Sequence, residues 1–206
     1  MINLEKEETM KIYDISQEIF TCEVYPGNPG PERVILRKKS EGGSCNMSAF
    51  SMCVHNGTHV DAPYHFINKG KQIDEVDLNR FIGKAFVVSH EGDISKEDAE
   101  KMLEKARKAD EEAVKRILVK GNAVLTEEAA EVFAENHTLL YGNESQTVGS
   151  KITGKAVHMI MLGAEIVLLE GIRLNDVEEG VYLLNCAPLN LGGSDGAPCR
   201  AVLISD

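Results

Sequence analysis

Three of the six histidines in this 206-residue chain fall within eleven residues, in a segment that also carries an aspartate. The segment reads HNGTHVDAPYH, and its ionisable side chains are those of His55, His59, Asp61 and His65. A regular helix is excluded because the ring of Pro63 disfavours helical angles at the residue before it. On an extended chain alternate residues project to one side, so His55, His59 and Asp61 would face a common space. Gly57, which has no side chain, would leave room there for an ion.

Two imidazoles and one carboxylate that face the same space are a common ligand set for Zn²⁺, Mn²⁺ or Fe²⁺. One histidine alone is more often structural, but three histidines clustered with Asp61 favour a metal or catalytic site. Two polar residues further along the chain also stand in apolar surroundings, namely His158 within AVHMI and Glu170 after IVLL. Burying either group without a partner is costly. A metal site formed with the N-terminal third of the chain would give both of them partners.

The composition limits the classes of function. The net charge is −11, the hydrophobic fraction is 43%, and tryptophan is absent. An acidic chain without a basic stretch is poorly suited to nucleic acid or to an anionic membrane, so neither partner is predicted. The five cysteines are scattered and odd in number, which favours reduced thiols in a cytoplasmic protein over a disulfide framework. The N-terminus lacks the apolar region of a signal peptide.

Hydrophobic periodicity and turn residues predict one domain over residues 10–206, preceded by a flexible acidic leader over residues 1–9. Strands are predicted at 12–15, 34–36, 47–55, 85–88, 117–119, 139–141, 166–169, 182–184 and 201–203. Helices are predicted at 95–116, 126–136 and 155–162. Because strands dominate the first third and alternate with helices afterwards, the fold class is expected to be mixed α/β or α+β.

The histidine-rich segment resembles the HxGTHxDxPxH signature of the cyclase family of metal-dependent hydrolases, which includes bacterial kynurenine formamidases and isatin hydrolases. Every fixed position of that signature is present. The spacing of His158 and Glu170 is similar to that of the family's later His and Glu, and the ending from Pro188 to Arg200 resembles its PL…GxDGxPxR pattern. The likeness extends from about residue 10 to residue 205.

The resemblance implies a two-metal site, with zinc as the expected metal and manganese as the alternative. The residues at the family's ligand positions are His55, His59, Asp61, His158 and Glu170. The first two histidines would bind one ion, the third would bind the other, and the carboxylates would contact both. The resemblance also implies that His65 is the catalytic acid/base, that a β-barrel-like mixed sheet flanked by helices forms the core, and that the protein is a homodimer or homotetramer.

The leading hypothesis is a metal-dependent amide hydrolase that resembles kynurenine formamidase and converts N-formylkynurenine to kynurenine and formate. A metal-activated water would attack the carbonyl of this aromatic small-molecule amide. His65 would take up and return the protons, because an imidazole titrates near neutrality. Ring opening of a cyclic amide, as in isatin hydrolases, or cleavage of another small amide or ester is the alternative. A metal-binding or cyclase-like module without hydrolysis is the alternative of another class.

Several positions that are expected to shape the substrate pocket differ from the family pattern. Tyr25 stands where many formamidases have tryptophan, and Asn28 stands where the family often has aspartate. Residues 120–123, which read KGNA, resemble the family's RTGW-type segment poorly. Tyr25, Tyr64 and Phe66 are candidates for stacking on an aromatic substrate, although each is equally plausible as an ordinary core residue.

Overall fold

A computed structural model describes residues 10–205, and the acidic leader predicted at residues 1–9 lies outside the described residues. The strands are β1 (Lys11–Asp14), β2 (Glu32–Arg37), β3 (Met47–Ser51), β4 (His59–Asp61), β5 (Ile82–Ser89), β6 (Gly92–Ile94), β7 (Arg116–Lys120), β8 (Ala123–Leu125), β9 (Leu140–Asn143), β10 (Val167–Glu170), β11 (Gly180–Asn185), β12 (Gly196–Pro198) and β13 (Val202–Ser205). The α-helices are α1 (Lys96–Ala109), α2 (Glu127–Glu135) and α3 (Gly154–Gly163). Short 3₁₀ helices cover Ile19–Thr21, Lys39–Glu41, Pro63–His65, Ile73–Glu75, Leu78–Arg80 and Ala113–Lys115.

Nine strands form one mixed sheet in the order β1-β13-β11-β5-β7-β9-β10-β4-β12, which curls into a half-barrel. The centre of the sheet, from β5 through β7 and β9 to β10, is parallel. The flanking pairs, including β10 with β4 and β4 with β12, are antiparallel. The expected mixed α+β domain, with a barrel-like sheet flanked by helices, is therefore confirmed.

Helix α1 shows how the local sequence sets the helix boundaries. Ser95 caps its first turn, and the Asp98 side chain accepts a hydrogen bond from the Ser95 backbone N–H, which completes a capping box. The buried stripe of α1 is Ala99, Met102, Leu103 and Ala106. The predicted end at residue 116 was wrong, because the helix stops at Ala109. The Asp110 carboxylate then accepts hydrogen bonds from two backbone N–H groups of the following turn.

The end of α3 also differs from the prediction. The helix was predicted to end at residue 162, and the structure extends it by one residue to Gly163. The left-handed conformation after the helix is taken instead by Glu165, with φ 60°. The side chain of Glu165 pairs with Lys71 and Arg80 outside the helix. A non-glycine residue thus adopts, just after the helix, the conformation that usually marks glycine.

The central strands bury side chains on both faces of the sheet. One apolar cluster lies between the sheet and the helices, and the other lies on the opposite face. Consecutive residues of β7 illustrate the alternation, because Ile117 and Val119 join the helix-side cluster whereas Leu118 joins the other. Burial on both faces explains why these strands read as continuous apolar runs in the sequence.

The segment between β3 and β4 departs from the extended geometry that was predicted for it. Strand β3 ends at Ser51, and the chain turns before β4 begins at His59. Gly57 lies in this turn with φ +64°, and a Cβ added there would lie 2.9 Å from the Cβ of Cys22. The glycine is therefore required by the turn and by close packing on Cys22, and the prediction that it leaves space for an ion was wrong. Because of the turn, His55 is not on the same strand as His59.

Strands β2 and β3 form a separate two-stranded sheet outside the large one. Its apolar side chains are about half exposed, and they belong to Val34, Ile35, Leu36, Met47 and Phe50. Within residues 10–205, no helix has the length and apolar character needed to cross a membrane.

Candidate metal centre

Strands β4 and β10 carry three of the predicted ligands to one place in the sheet. His59 pairs with Glu170, and Asp61 pairs with Leu168, in the antiparallel register of the two strands. The Nε2 atom of His59 lies 3.4 Å from Oε2 of Glu170 and 3.5 Å from Oδ1 of Asp61. All three side chains are buried, with at most 3% of their surface exposed. The sheet register thus creates a buried cluster of one imidazole and two carboxylates.

Helix α3 adds a second imidazole to this cluster. Nε2 of His158 lies 3.3 Å from Oε1 of Glu170 and 3.6 Å from Oδ2 of Asp61. Its other ring nitrogen, Nδ1, is 2.6 Å from the carbonyl oxygen of Gly154, one helical turn earlier. Nδ1 of His59 is likewise 3.0 Å from the carbonyl oxygen of Gly57. These backbone acceptors hold both rings with Nε2 directed at the carboxylates, as outer-shell partners do for metal-binding histidines.

His55 reaches the cluster from the turn before β4. Its Nδ1 lies 2.8 Å from Oδ1 of Asp61, and its Nε2 lies 2.8 Å from Oδ2 of Asp195. Asp195 precedes β12, whose first residue, Gly196, pairs with Asp61 of β4. The same sheet edge therefore places a further carboxylate behind His55.

The five predicted ligands form two triads that share Asp61. One triad is His55, His59 and Asp61, and the other is Asp61, His158 and Glu170. Within each triad the ligand atoms lie within 4.8 Å of one another. Both carboxylates contact these histidines, and Oε1 of Glu170 also accepts a hydrogen bond from the Val148 N–H. Such a set of nitrogen and oxygen donors without thiolate suits Zn²⁺ or Mn²⁺.

The electrostatics of the cluster also fit a cation. Burial lowers the pKa of His59, but its hydrogen bonds with Asp61 and Glu170 outweigh burial and raise the pKa to about 10. Burial raises the pKa of Asp61, and the hydrogen bonds with His55 and His59 reverse this and hold it well below its usual range. The two buried carboxylates therefore demand neighbouring positive charge, which a divalent cation supplies as fully as protonated imidazole does.

His65 lies beside the cluster, at the end of the 3₁₀ helix Pro63–His65. Its Nδ1 is 3.2 Å from Oδ2 of Asp195, and its ring packs against that of His55 with 4.0 Å between the centroids. About a quarter of its side chain is exposed. Burial lowers the pKa of His65, which leaves the imidazole neutral at pH 7. His65 is thus outside both triads, and with His55 and Asp195 it forms a third group whose possible ligand atoms lie within 4.8 Å of one another.

A cavity of about 380 Å³ opens onto His55, His59, His65, His158 and Glu170. Phe66 lines it and stacks on His158, with 4.6 Å between the ring centroids and 27° between the planes. Tyr25 and Asn28 also line the cavity. Tyr64 is 42% exposed and is not among the described residues that line this cavity. Residues 120–123 are likewise not among the described residues that line this cavity.

Several features of the site were missed by the sequence reasoning. Asp195 was noticed only as part of the C-terminal pattern, because nothing in its neighbourhood signals contact with two distant histidines. Gln146, Lys151 and Lys155 line the cavity but lie in a polar segment that reads as a loop and a helix start. Their positions depend on the fold, so no local pattern could have identified them.

Comparison with known proteins identifies the family of this chain. Residues 13–150 match the Cyclase family model. The chain belongs to the cyclase family. The expected family membership is therefore confirmed over most of the chain, including the segment that carries His55, His59, Asp61 and His65.

Other members resemble this cyclase-family chain over nearly its whole length. It is 30% identical over 212 residues to kynurenine formamidase from Bacillus anthracis, which covers 95% of this chain and 98% of the relative. A protein from Bacillus stearothermophilus described as a predicted metal-dependent hydrolase has a TM-score of 0.80 and 28% identity, covering 96% of this chain and 100% of that one. Isatin hydrolase A from Labrenzia aggregata has a TM-score of 0.80 at 19% identity, covering 95% and 93%, and shares the fold.

Proposed function

We propose that this cyclase-family protein is a metal-dependent hydrolase of small amides, with N-formylkynurenine as its substrate. The observation that carries the proposal is the pair of triads that share Asp61 beneath a cavity, with the neutral imidazole of His65 beside them. The similarity to kynurenine formamidase from Bacillus anthracis supports the amide as the bond that is cleaved.

The ligands proposed for two divalent cations are those of the two triads, so His55 and His59 serve one ion and His158 the other. Asp61 belongs to both triads, and Glu170 contacts a histidine of each through its two oxygens. Zinc is the proposed metal and manganese the alternative, because the donor set suits either. A bound divalent cation would polarise the substrate carbonyl and lower the pKa of water.

His65 is proposed as the group that moves protons. Its Nδ1 faces Asp195, so Nε2 is the nitrogen left to exchange protons in the cavity. As a neutral imidazole it takes a proton from the attacking water and returns it to the leaving amine nitrogen. The position outside both triads suits this role, because a metal ligand could not give up its ring nitrogen.

The cavity walls support an aromatic substrate that carries a charged end. Phe66 and Tyr25 offer ring faces and edges for an aromatic substrate. Lys151 and Lys155 line the same cavity and are suited to a carboxylate. The side-chain amide of Gln146 also lines it, and its nitrogen and oxygen are buried without a hydrogen-bond partner among the described residues. N-formylkynurenine supplies a ring, a formamide and an amino-acid carboxylate. Tyr64 stays a prediction as a third aromatic contact.

The substrate assignment is tested by a turnover screen of zinc- and manganese-loaded protein against N-formylkynurenine, isatin and formanilide. The proposal expects hydrolysis of N-formylkynurenine with the highest kcat/KM. If isatin alone is turned over, the substrate assignment changes from N-formylkynurenine to a cyclic amide. No hydrolysis of any of the three amides would overturn the proposed function.

A homodimer or homotetramer is proposed, held by the two-stranded sheet of β2 and β3. Its five half-exposed apolar side chains form the kind of patch that marks a protein–protein interface. The introduction of charge by Phe50→Asp is expected to reduce the molar mass measured by light scattering, and an unchanged mass would exclude this face.

A cytoplasmic location is proposed as well, supported by five cysteines that are all free.

A further inference from the structure

One carboxylate oxygen joins a predicted metal ligand to the predicted acid/base. Oδ2 of Asp195 lies 2.8 Å from Nε2 of His55 and 3.2 Å from Nδ1 of His65. Oδ2 of an ionised carboxylate only accepts, so each ring nitrogen that faces it carries the hydrogen. Nε2 of His65 is then the nitrogen left to act in the site. Nδ1 of His55 faces Oδ1 of Asp61 at 2.8 Å, so it is the nitrogen whose hydrogen a cation would displace.

The position of Asp195 is fixed from both sides. Its carbonyl oxygen accepts a hydrogen bond from the Ala62 N–H, and the next residue pairs with Asp61 on the neighbouring strand. The preceding loop is held where Asp74 accepts a hydrogen bond from the Gly193 N–H. A carboxylate on such a support can orient both imidazoles, because the backbone around it holds its position.

We propose that Asp195 is a positioning residue that sets the tautomers of His55 and His65 together. By fixing Nδ1 of His55 towards Asp61, it prepares that nitrogen for a cation in the first triad. By fixing Nε2 of His65 towards the cavity, it gives the acid/base the nitrogen that exchanges protons with the substrate. The role at His65 rests on the proposed hydrolase function, whereas the role at His55 does not.

A purely structural role would give a different result. Support of the loop alone would affect stability and both metal sites alike. Tautomer control instead affects one triad and one imidazole, since His158 and Glu170 have no contact with Asp195 among the described residues. The two roles therefore separate in measurements that resolve individual sites.

The variants Asp195→Asn and Asp195→Ala test the proposal, with Asp74→Asn as the control. Asn keeps the shape but lacks the charge, and its amide can turn a donor towards the rings. Ala removes both features and provides a second test if Asn leaves the geometry intact. Asp74 contacts the same loop but neither histidine, and Asn at this position can still accept the bond from the Gly193 N–H, so Asp74→Asn controls for the loss of a carboxylate charge beside the loop.

The first measurement is zinc binding by competition with a chromogenic chelator, which needs no substrate. Both Asp195 variants are expected to bind one of two zinc ions about 10–100-fold more weakly, the usual cost of losing an outer-shell partner. The other ion should bind as in the wild type, and Asp74→Asn should bind both normally. If the variants bind both zinc ions equally more weakly, or bind neither more weakly, the role at His55 is overturned.

The second measurement is ¹⁵N NMR of the histidine rings in the zinc-loaded protein, joined to steady-state kinetics. His65 is expected to carry its hydrogen on Nδ1 in the wild type and to lose that preference in the variants. With N-formylkynurenine, kcat should fall at least about tenfold while KM changes little. A wild-type His65 with its hydrogen on Nε2 would overturn the role at this residue. An inactive wild type that shows the expected tautomer would refute the proposed substrate but not the positioning.

Discussion

Glu170 lies directly opposite His59 in the antiparallel pairing of β10 with β4, and 3.4 Å separates Oε2 of the carboxylate from Nε2 of the imidazole. The register of the sheet, and not the local sequence, joins the N-terminal histidine segment to the C-terminal half of the chain. The second carboxylate oxygen faces His158 at 3.3 Å. Glu170 therefore belongs to the second triad and also contacts a histidine of the first, so its loss should weaken metal binding before it affects folding.

Glu170→Gln is expected to weaken the binding of at least one divalent ion by more than about 100-fold, because loss of a direct ligand should exceed the cost of losing an outer-shell partner. Turnover of N-formylkynurenine should fall with the metal content. Elemental analysis after gel filtration, together with competition against a chelator, gives the number of ions for each chain.

Glu131→Gln, on the exposed surface of α2, is the matched control and should retain the wild-type metal content. Two ions bound as tightly in Glu170→Gln as in the wild type would show that this carboxylate is not a ligand.

The pH profile should identify His65 as the base. Burial lowers its pKa below the ordinary 6.5, so the neutral, proton-accepting imidazole persists to lower pH than in a free histidine. As pH falls through this lowered pKa, the imidazole is protonated and kcat/KM should fall, with a midpoint below pH 6.5. In His65→Ala, kcat should be at least about 100-fold lower with both metals retained.

His90→Ala serves as the control, because His90 is half-buried outside the metal centre, where its Nε2 faces the Asp93 carbonyl oxygen. A His65→Ala protein that turns over at the wild-type rate on the established substrate would remove the residue from the mechanism.

Lys151 and Lys155 should determine the preference for a substrate that carries a carboxylate. Lys155→Met keeps the length of the side chain but removes its charge. It is expected to raise KM for N-formylkynurenine about 2–5-fold, the range of an exposed ion pair, with little change in kcat. The same change at Lys151 should act in the same direction. Steady-state kinetics with formanilide, which has no carboxylate, should show no effect of either substitution.

Lys96→Met, at the exposed start of α1, is the charge-matched control. An equal rise in KM for formanilide would mean that the lysines act on the cavity shape and not on a carboxylate.

Gly57→Ala should destabilise the fold and disturb the first triad. Its φ of +64° is unfavourable for alanine, and the new Cβ would lie 2.9 Å from that of Cys22. The free energy of unfolding in urea, measured with excess chelator, should drop by about 1–3 kcal/mol. Gly30→Ala, which has open space around it, should change it by less than about 0.5 kcal/mol. Equal stability of the two variants would contradict the packing role.

The ligand set could be predicted from the sequence because its members carry local signals. His55, His59 and Asp61 lie close together beside a helix-excluding proline, and the other two ligands interrupt apolar elements. The geometry between them could not be predicted. An extended chain was expected to present His55 beside His59, whereas the structure brings His55 in from a turn.

Long-range contacts account for most of what the sequence could not predict. Asp195 acts on histidines more than a hundred residues away through the pairing of β12 with β4. Local capping signals predicted the start of α1 at Ser95 correctly, but its end depends on Asp110, whose side chain forms the following turn. Nine of the thirteen strands in the described residues were predicted, and the short strands β4, β6, β8 and β12 were not among them. The strand order in the half-barrel depends on pairings that no local pattern records.

The most direct test of the metal-dependent hydrolase is depletion and reconstitution of the wild-type protein. After dialysis against a strong chelator, N-formylkynurenine hydrolysis should fall to the background rate while circular dichroism still reports a folded protein. Stepwise addition of zinc or manganese should restore turnover and reach a plateau at two ions per chain. Full hydrolysis by protein in which elemental analysis detects no divalent metal would contradict the account.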